Sequence, residues 1–117
     1  MSHFLILVKG GQGISLEDIN VIDRKIFLTR WKEWLRGLRR RKTLISGSPL
    51  ATEGMAVYHN GNIETVPDNY DMVTEMITGF CLVEAKDETE ALQILQTCPF
   101  LDDEFTSCEL RKCRNFV

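Results

Sequence analysis

Long apolar runs are missing from this 117-residue sequence. The longest, Phe4 to Val8, is far shorter than the roughly 20 residues that cross a bilayer, and shorter than the apolar centre of an export signal. We therefore expect no membrane segment and a cytoplasmic chain. Paired cysteines are missing too: Cys81, Cys98, Cys108 and Cys113 form no C-x-x-C, and only His3 and His59 could join them. That spacing argues for free thiols in a reducing compartment, and against a structural zinc site or any bound metal. Nucleotide fingerprints are absent as well. Lys9-Gly10-Gly11-Gln12-Gly13 has neither the G-x-G-x-x-G spacing nor the terminal Gly-Lys-Ser of a phosphate loop, so it reads as a turn, and no cofactor is expected.

What is present is an ordinary globular composition, 44% apolar and 26% charged, enough for one domain spanning 1–117 and too little for two. Charge is unevenly spread. Between Arg24 and Lys42 nine basic residues face Glu33 alone, net +8, whereas Glu53 to Glu109 holds thirteen acids against Lys86, net −12. The basic stretch could grip an acidic partner, giving an adaptor. A nucleic-acid role is disfavoured, because the tryptophans share the apolar stripe and do not interleave with the arginines.

Periodicity supplies the elements. Phe4 to Lys9, ended by Gly10-Gly11, reads as a buried strand. Ser15-Leu16-Glu17-Asp18 looks like a helix start, with pattern continuing to about Arg41 and a break expected before Asp23. Phe27, Leu28, Trp31, Trp34, Leu35 and Leu38 form one core-facing stripe, with Lys25, Lys32, Arg36, Arg39 and Arg40 opposite. Thr43 to Ser46 is a short strand that Gly47-Ser48-Pro49 should close. Met55 to His59 and Asn62 to Val66 flank Asn60-Gly61, the pair suited to a two-residue type I′ hairpin turn. Pro67 to Thr78 reads as an acidic surface loop. Phe80 to Ala85 is a strand, and Asp87-Glu88-Thr89-Glu90 is a capping box opening a helix that Pro99 ends. Phe105 to Arg114 alternates as a last strand, with Phe105, Ser107, Glu109 and Arg111 on one side.

This order predicts an α+β, ferredoxin-like antiparallel sheet with two helices on one face and an inserted β-hairpin. Nothing in the sequence covers the second face, so a second copy of the chain is expected to do so, making a homodimer.

Several stretches, taken in order, resemble the DGPF branch of the YCII-related proteins over nearly the whole chain. They are Phe4 to Gly11, Trp31-Lys32-Glu33-Trp34, Leu44 to Leu50, Glu75 to Phe80, Glu84 to Asp87, Glu90-Ala91-Leu92, Cys98 to Leu101 and Glu109-Leu110-Arg111. The resemblance implies a dimeric α/β barrel. It also implies a departure, since the Asp-Gly-Pro-Phe signature survives only as Asp68-Asn69-Tyr70-Asp71. Where the YCII branch carries the histidine of a proposed histidine–aspartate pair, this chain has Trp31, whose indole has no basic nitrogen.

In such a dimer the strand residues pointing away from the helices line a shared interior. Alternation assigns Lys9, Phe80, Leu82, Glu84, Glu109 and Arg111 to that side, a set suited to a small polar ligand, or else an internal ion-pair network. An enzymatic alternative, a lyase or isomerase, would use Asp68 or Glu75 as general base in place of the lost histidine. Asp68, Asp71 and Glu75 match no calcium-loop spacing, and turn capping accounts for them more simply. His59 beside the hairpin turn and His3 at the strand's start suit wet surface positions, and spacing assembles no Ser/His/Asp or Cys/His set.

Overall fold

A computed structural model describes residues 1–11, 20–66 and 74–114. The central strand β1 (Ser2–Lys9) is followed by helix α1 (Val21–Arg40) and edge strand β2 (Leu44–Pro49). A small hairpin, β3 (Gly54–Val57) and β4 (Ile63–Val66), precedes strand β5 (Ile77–Ala85), helix α2 (Glu88–Leu95), a 3₁₀ turn at Pro99–Asp102 and strand β6 (Ser107–Lys112). The main sheet runs β2-β5-β1-β6, antiparallel throughout, and β3-β4 form a separate two-stranded sheet. The expected ferredoxin-like α+β architecture is therefore observed, with an inserted hairpin.

Strand periodicity sorts the side chains. Phe4, Ile6 and Val8 of β1 and Cys81, Val83 and Ala85 of β5 point to the helices and are buried. Against them α1 lays Phe27, Trp31, Trp34 and Leu38, and α2 adds Ala91 and Leu95. Two glycines set how closely α1 approaches the sheet. A Cβ on Gly79 would fall 2.2 Å from Trp31 Cζ2, and one on Gly47 would fall 2.8 Å from Leu35 Cδ2. Trp31 stacks at a tilt on Trp34 (5.5 Å) and Phe100 (5.3 Å), so the indole is fixed from three sides. Arg30 ties α1 to the 3₁₀ turn by donating to the Pro99 carbonyl and to Asp102 (3.0 Å), while lying over the Phe100 ring.

The helix ends follow their sequence signals. Asn20 caps α1 by accepting from Asp23 N (2.8 Å), and Asp87 caps α2 by accepting from Glu90 N (2.9 Å). At the other end of α1, Lys42 adopts φ 60°, and Lys42 N and Thr43 N donate to the Arg39 and Leu38 carbonyls. This is the paired-bond stop that usually employs glycine.

Several expectations are corrected. Gly47-Ser48-Pro49 does not close the strand: β2 runs through it, since an edge strand tolerates proline at its end and Gly47 makes room for Leu35. Strand β5 opens at Ile77, within the expected loop, because Thr78 inserts as a bulge between the Val8–Gly79 and Lys9–Ile77 pairs. The hairpin turn is a three-residue loop, His59 to Gly61. Gly61 N donates to Tyr58 O and Tyr58 N to Asn62 O, and only Gly61 has positive φ (86°), whereas a type I′ turn would need Asn60 there as well. Phe105 precedes β6, which begins at Ser107, and is exposed, so it is not part of the alternating last strand. Leu28, at the margin of the helical stripe, is also exposed. The expected helix start at Ser15 to Asp18 lies outside the described residues.

Candidate functional site

The face of the main sheet turned away from the helices carries two cross-strand rows. One reads Ser48, Phe80, Leu7, Glu109 and the next Ser46, Leu82, Leu5, Arg111. Lys9 stands at one end of β1 and His3, paired with Glu84, at the other. All six residues that alternation assigned to this side lie on it: Lys9, Phe80, Leu82, Glu84, Glu109 and Arg111. Phe80, Leu82 and Glu84 are half-buried.

Its polar centre is Glu109. Lys9 Nζ donates to Glu109 Oε1 (3.2 Å) and Arg111 Nη1 to Glu109 Oε2 (3.4 Å), so two cations share one carboxylate beside the Leu5, Leu7, Phe80 and Leu82 side chains. The Lys9 ammonium, followed by the Arg111 guanidinium, holds the Glu109 carboxyl below its ordinary pKa. The triad carries a net positive charge, and Arg111, 70% exposed along its side chain, keeps most of its donors free for another acceptor. This arrangement can orient a small molecule bearing an acidic group against an apolar floor.

The remaining candidates fall elsewhere. Asp68 and Asp71 lie outside the described residues. Glu75 is exposed and sits at the Lys9 end of the sheet, next to Met76, whose carbonyl accepts from Gly10 N (2.8 Å). Gly10 and Gly11 both have positive φ, and a Cβ on Gly11 would meet Thr106 Oγ1 at 2.0 Å and Asp103 Oδ2 at 3.1 Å. A carboxylate against this turn repels phosphate, which fits its reading as a turn. Trp31 is buried on the helix side, on the opposite face of the sheet from the triad. Even a histidine there would need the fold to rearrange before it met Glu109. His59 is exposed in the hairpin loop.

The cysteines are free thiols. Burial, reinforced by charge on Cys98, pushes the Cys81 thiol up to about 12. Cys108 donates to Cys98, which raises Cys108 and lowers Cys98; backbone N–H groups of the 3₁₀ turn add to the lowering. Among the described residues no group of histidine, cysteine and carboxylate side chains could hold a metal. The basic residues opposite the apolar stripe of α1 are exposed, and of α1 only Arg30 forms an ion pair among the described residues.

Sequence reasoning missed Leu5, Leu7, Ser46 and Ser48. Phe4 to Val8 is apolar at every position, so its alternation is silent. The Ser46/Ser48 alternation was a usable signal, hidden by reading Gly-Ser-Pro as a turn.

No helix among the described residues is long and apolar enough to cross a membrane. No protein-family model and no curated protein matches the chain. Among solved structures it is similar to the 5-chloro-2-hydroxyhydroquinone dehydrochlorinase TftG from Burkholderia phenoliruptrix AC1100, determined in complex with 2,5-dihydroxybenzoquinone. The TM-score is 0.54 at 18% identity, over 97% of this chain and 95% of that one. At that identity the likeness is one of fold: the chain has a ferredoxin-like α+β fold, and any activity has to be argued from its own side chains.

Proposed function

We propose that the chain is a single-domain cytoplasmic protein of the YCII-related, DGPF-like type. It pairs sheet to sheet with a second copy and binds a small polar molecule with an acidic group in the chamber between them. The observation that carries this reading is the Lys9–Glu109–Arg111 triad on the open face, beside an apolar floor. A face that mixes leucine and phenylalanine with a net cationic cluster suits a small organic acid better than bulk water. A thermal-shift screen against a metabolite library tests it. A ligand at 100 times its dissociation constant stabilises by about 2.7 kcal/mol, a shift of several degrees for a domain of this size. Arg111→Ala, folded by circular dichroism, is expected to abolish the shift; an undiminished shift refutes the assignment.

The similarity to a dehydrochlorinase that acts on a hydroxylated aromatic ring favours a second reading, in which the pocket is catalytic and Asp68 or Glu75 is the general base. Full turnover in an Asp68→Asn, Glu75→Gln double variant would remove both from that role.

A further inference from the structure

The hairpin β3–β4 is a two-stranded sheet of its own, and its strands pair chiefly with each other among the described residues. Such a hairpin is marginal in water unless a third layer supports it. Met55 and Val57 of β3 and Ile63 of β4, the last directly opposite Val57, point to one side. They are 65%, 71% and 61% exposed. A stripe of three large apolar side chains on an outlying hairpin is what an interface leaves uncovered when its other half is absent.

The size of the open sheet face indicates what the other half is. Four strands about 4.8 Å apart, each about 20–30 Å long, give a flat footprint of about 500 Å², or about 1,000 Å² over both copies, which puts sheet-to-sheet contact alone around the low end of the 1,200–2,000 Å² buried by stable interfaces. Because Phe80, Leu82, Leu5 and Leu7 are already half-buried in one chain, the true gain is smaller still. The hairpin emerges directly after β2, an edge strand of that sheet, where it can extend the contact beyond the sheet's border.

We infer that β3–β4 is a clasping arm whose Met55/Val57/Ile63 side packs on a second copy of the chain and supplies the contact area that the sheet lacks. The inference rests on the sheet-to-sheet dimer proposed above. By two-fold symmetry each subunit contributes one arm, so every substitution in the arm acts twice.

The test is a dilution series by analytical ultracentrifugation on the full chain and on a Met55→Ser, Val57→Ser, Ile63→Ser variant. All three side chains are exposed and outside the core, and circular dichroism checks that the variant is folded. The parent is expected to be a dimer at micromolar concentration, with dissociation at least about 100-fold easier in the variant. A parent dimer with an unchanged dissociation constant in the variant overturns the arm and leaves the sheet-to-sheet reading standing; a monomeric parent overturns both. A photo-crosslinking p-benzoylphenylalanine in place of Val57 gives an independent measure. Crosslinks joining two chains support the arm, and crosslinks confined within one chain, with the hairpin folded onto its own body, overturn it even if the serine variant fails to fold.

Discussion

An alanine at Gly79 would place its methyl group 2.2 Å from Trp31 Cζ2 and 2.4 Å from Cη2, more than 1 Å inside ordinary van der Waals contact. The indole has nowhere to retreat, since it is 1% exposed and held by Trp34 and Phe100. The backbone is equally constrained, with the Ser48 carbonyl 3.2 Å from the same point. Overpacking costs about 1–3 kcal/mol where neighbours give way, so we expect Gly79→Ala to lie at or above about 3 kcal/mol. In urea, with a slope of about 1–3 kcal/mol/M, the midpoint falls by about 1–3 M. Gly37→Ala is the internal control: nothing lies within 4 Å of its Cβ position inside α1, so alanine there should stabilise by about 0.5–1 kcal/mol. Trp31→Phe removes the ring atoms in question. In the double variant the two losses should fall short of additive by about 1 kcal/mol or more. A Gly79→Ala stability within about 0.5 kcal/mol of the parent would refute the placement of α1 on the sheet.

Two further expectations concern titration. The Glu109 carboxyl, followed by carbon-detected NMR, should titrate below the ordinary carboxylate range and move upward in Lys9→Met, because the ammonium is the largest cause of its depression. Since the folded value lies below the unfolded one, the stability it contributes is present above the unfolded value and is lost as pH falls through the folded one; solvent exposure keeps it small. Cys81, buried and raised to about 12, should resist a disulfide reagent at pH 8 in the folded protein and react at once in urea; rapid labelling without denaturant would contradict its placement in the core.

The sequence carried most of the fold because its signals were local. The stripe from Phe27 to Leu38 and the capping box at Asp87 mean the same thing in a peptide as in the folded chain. The open face was legible on β6, where Ser107, Glu109 and Arg111 alternate with Cys108 and Leu110, and on β5 through Glu84 alone, the one charged residue between Phe80 and Ala85. It was illegible on β1, where Phe4 to Val8 is apolar on both faces, so alternation there carries no contrast. Ser46 and Ser48 were lost for a different reason: proline and glycine mark turns only when no neighbouring strand is there to hold them extended, and β5 is such a neighbour. The turn at Asn60-Gly61 failed in detail because the pair serves two kinds of tight loop, and the choice depends on where the flanking strands begin to pair. The Lys9–Glu109 contact, spanning 100 positions, has no local signal at all.

That separation has a kinetic side. The middle strand of the main sheet meets one neighbour 70 residues later in the chain, at Thr78, and the other 100 residues later, at Glu109. Its oily segment therefore stays unpaired until distant parts of the polypeptide have been brought back to it, each return paying loop-closure entropy before any ladder bond rewards it. A fold assembled in that order is expected to form more slowly than a helical bundle of the same length, and its intermediates would expose the stickiest stretch of the chain to whatever else is present.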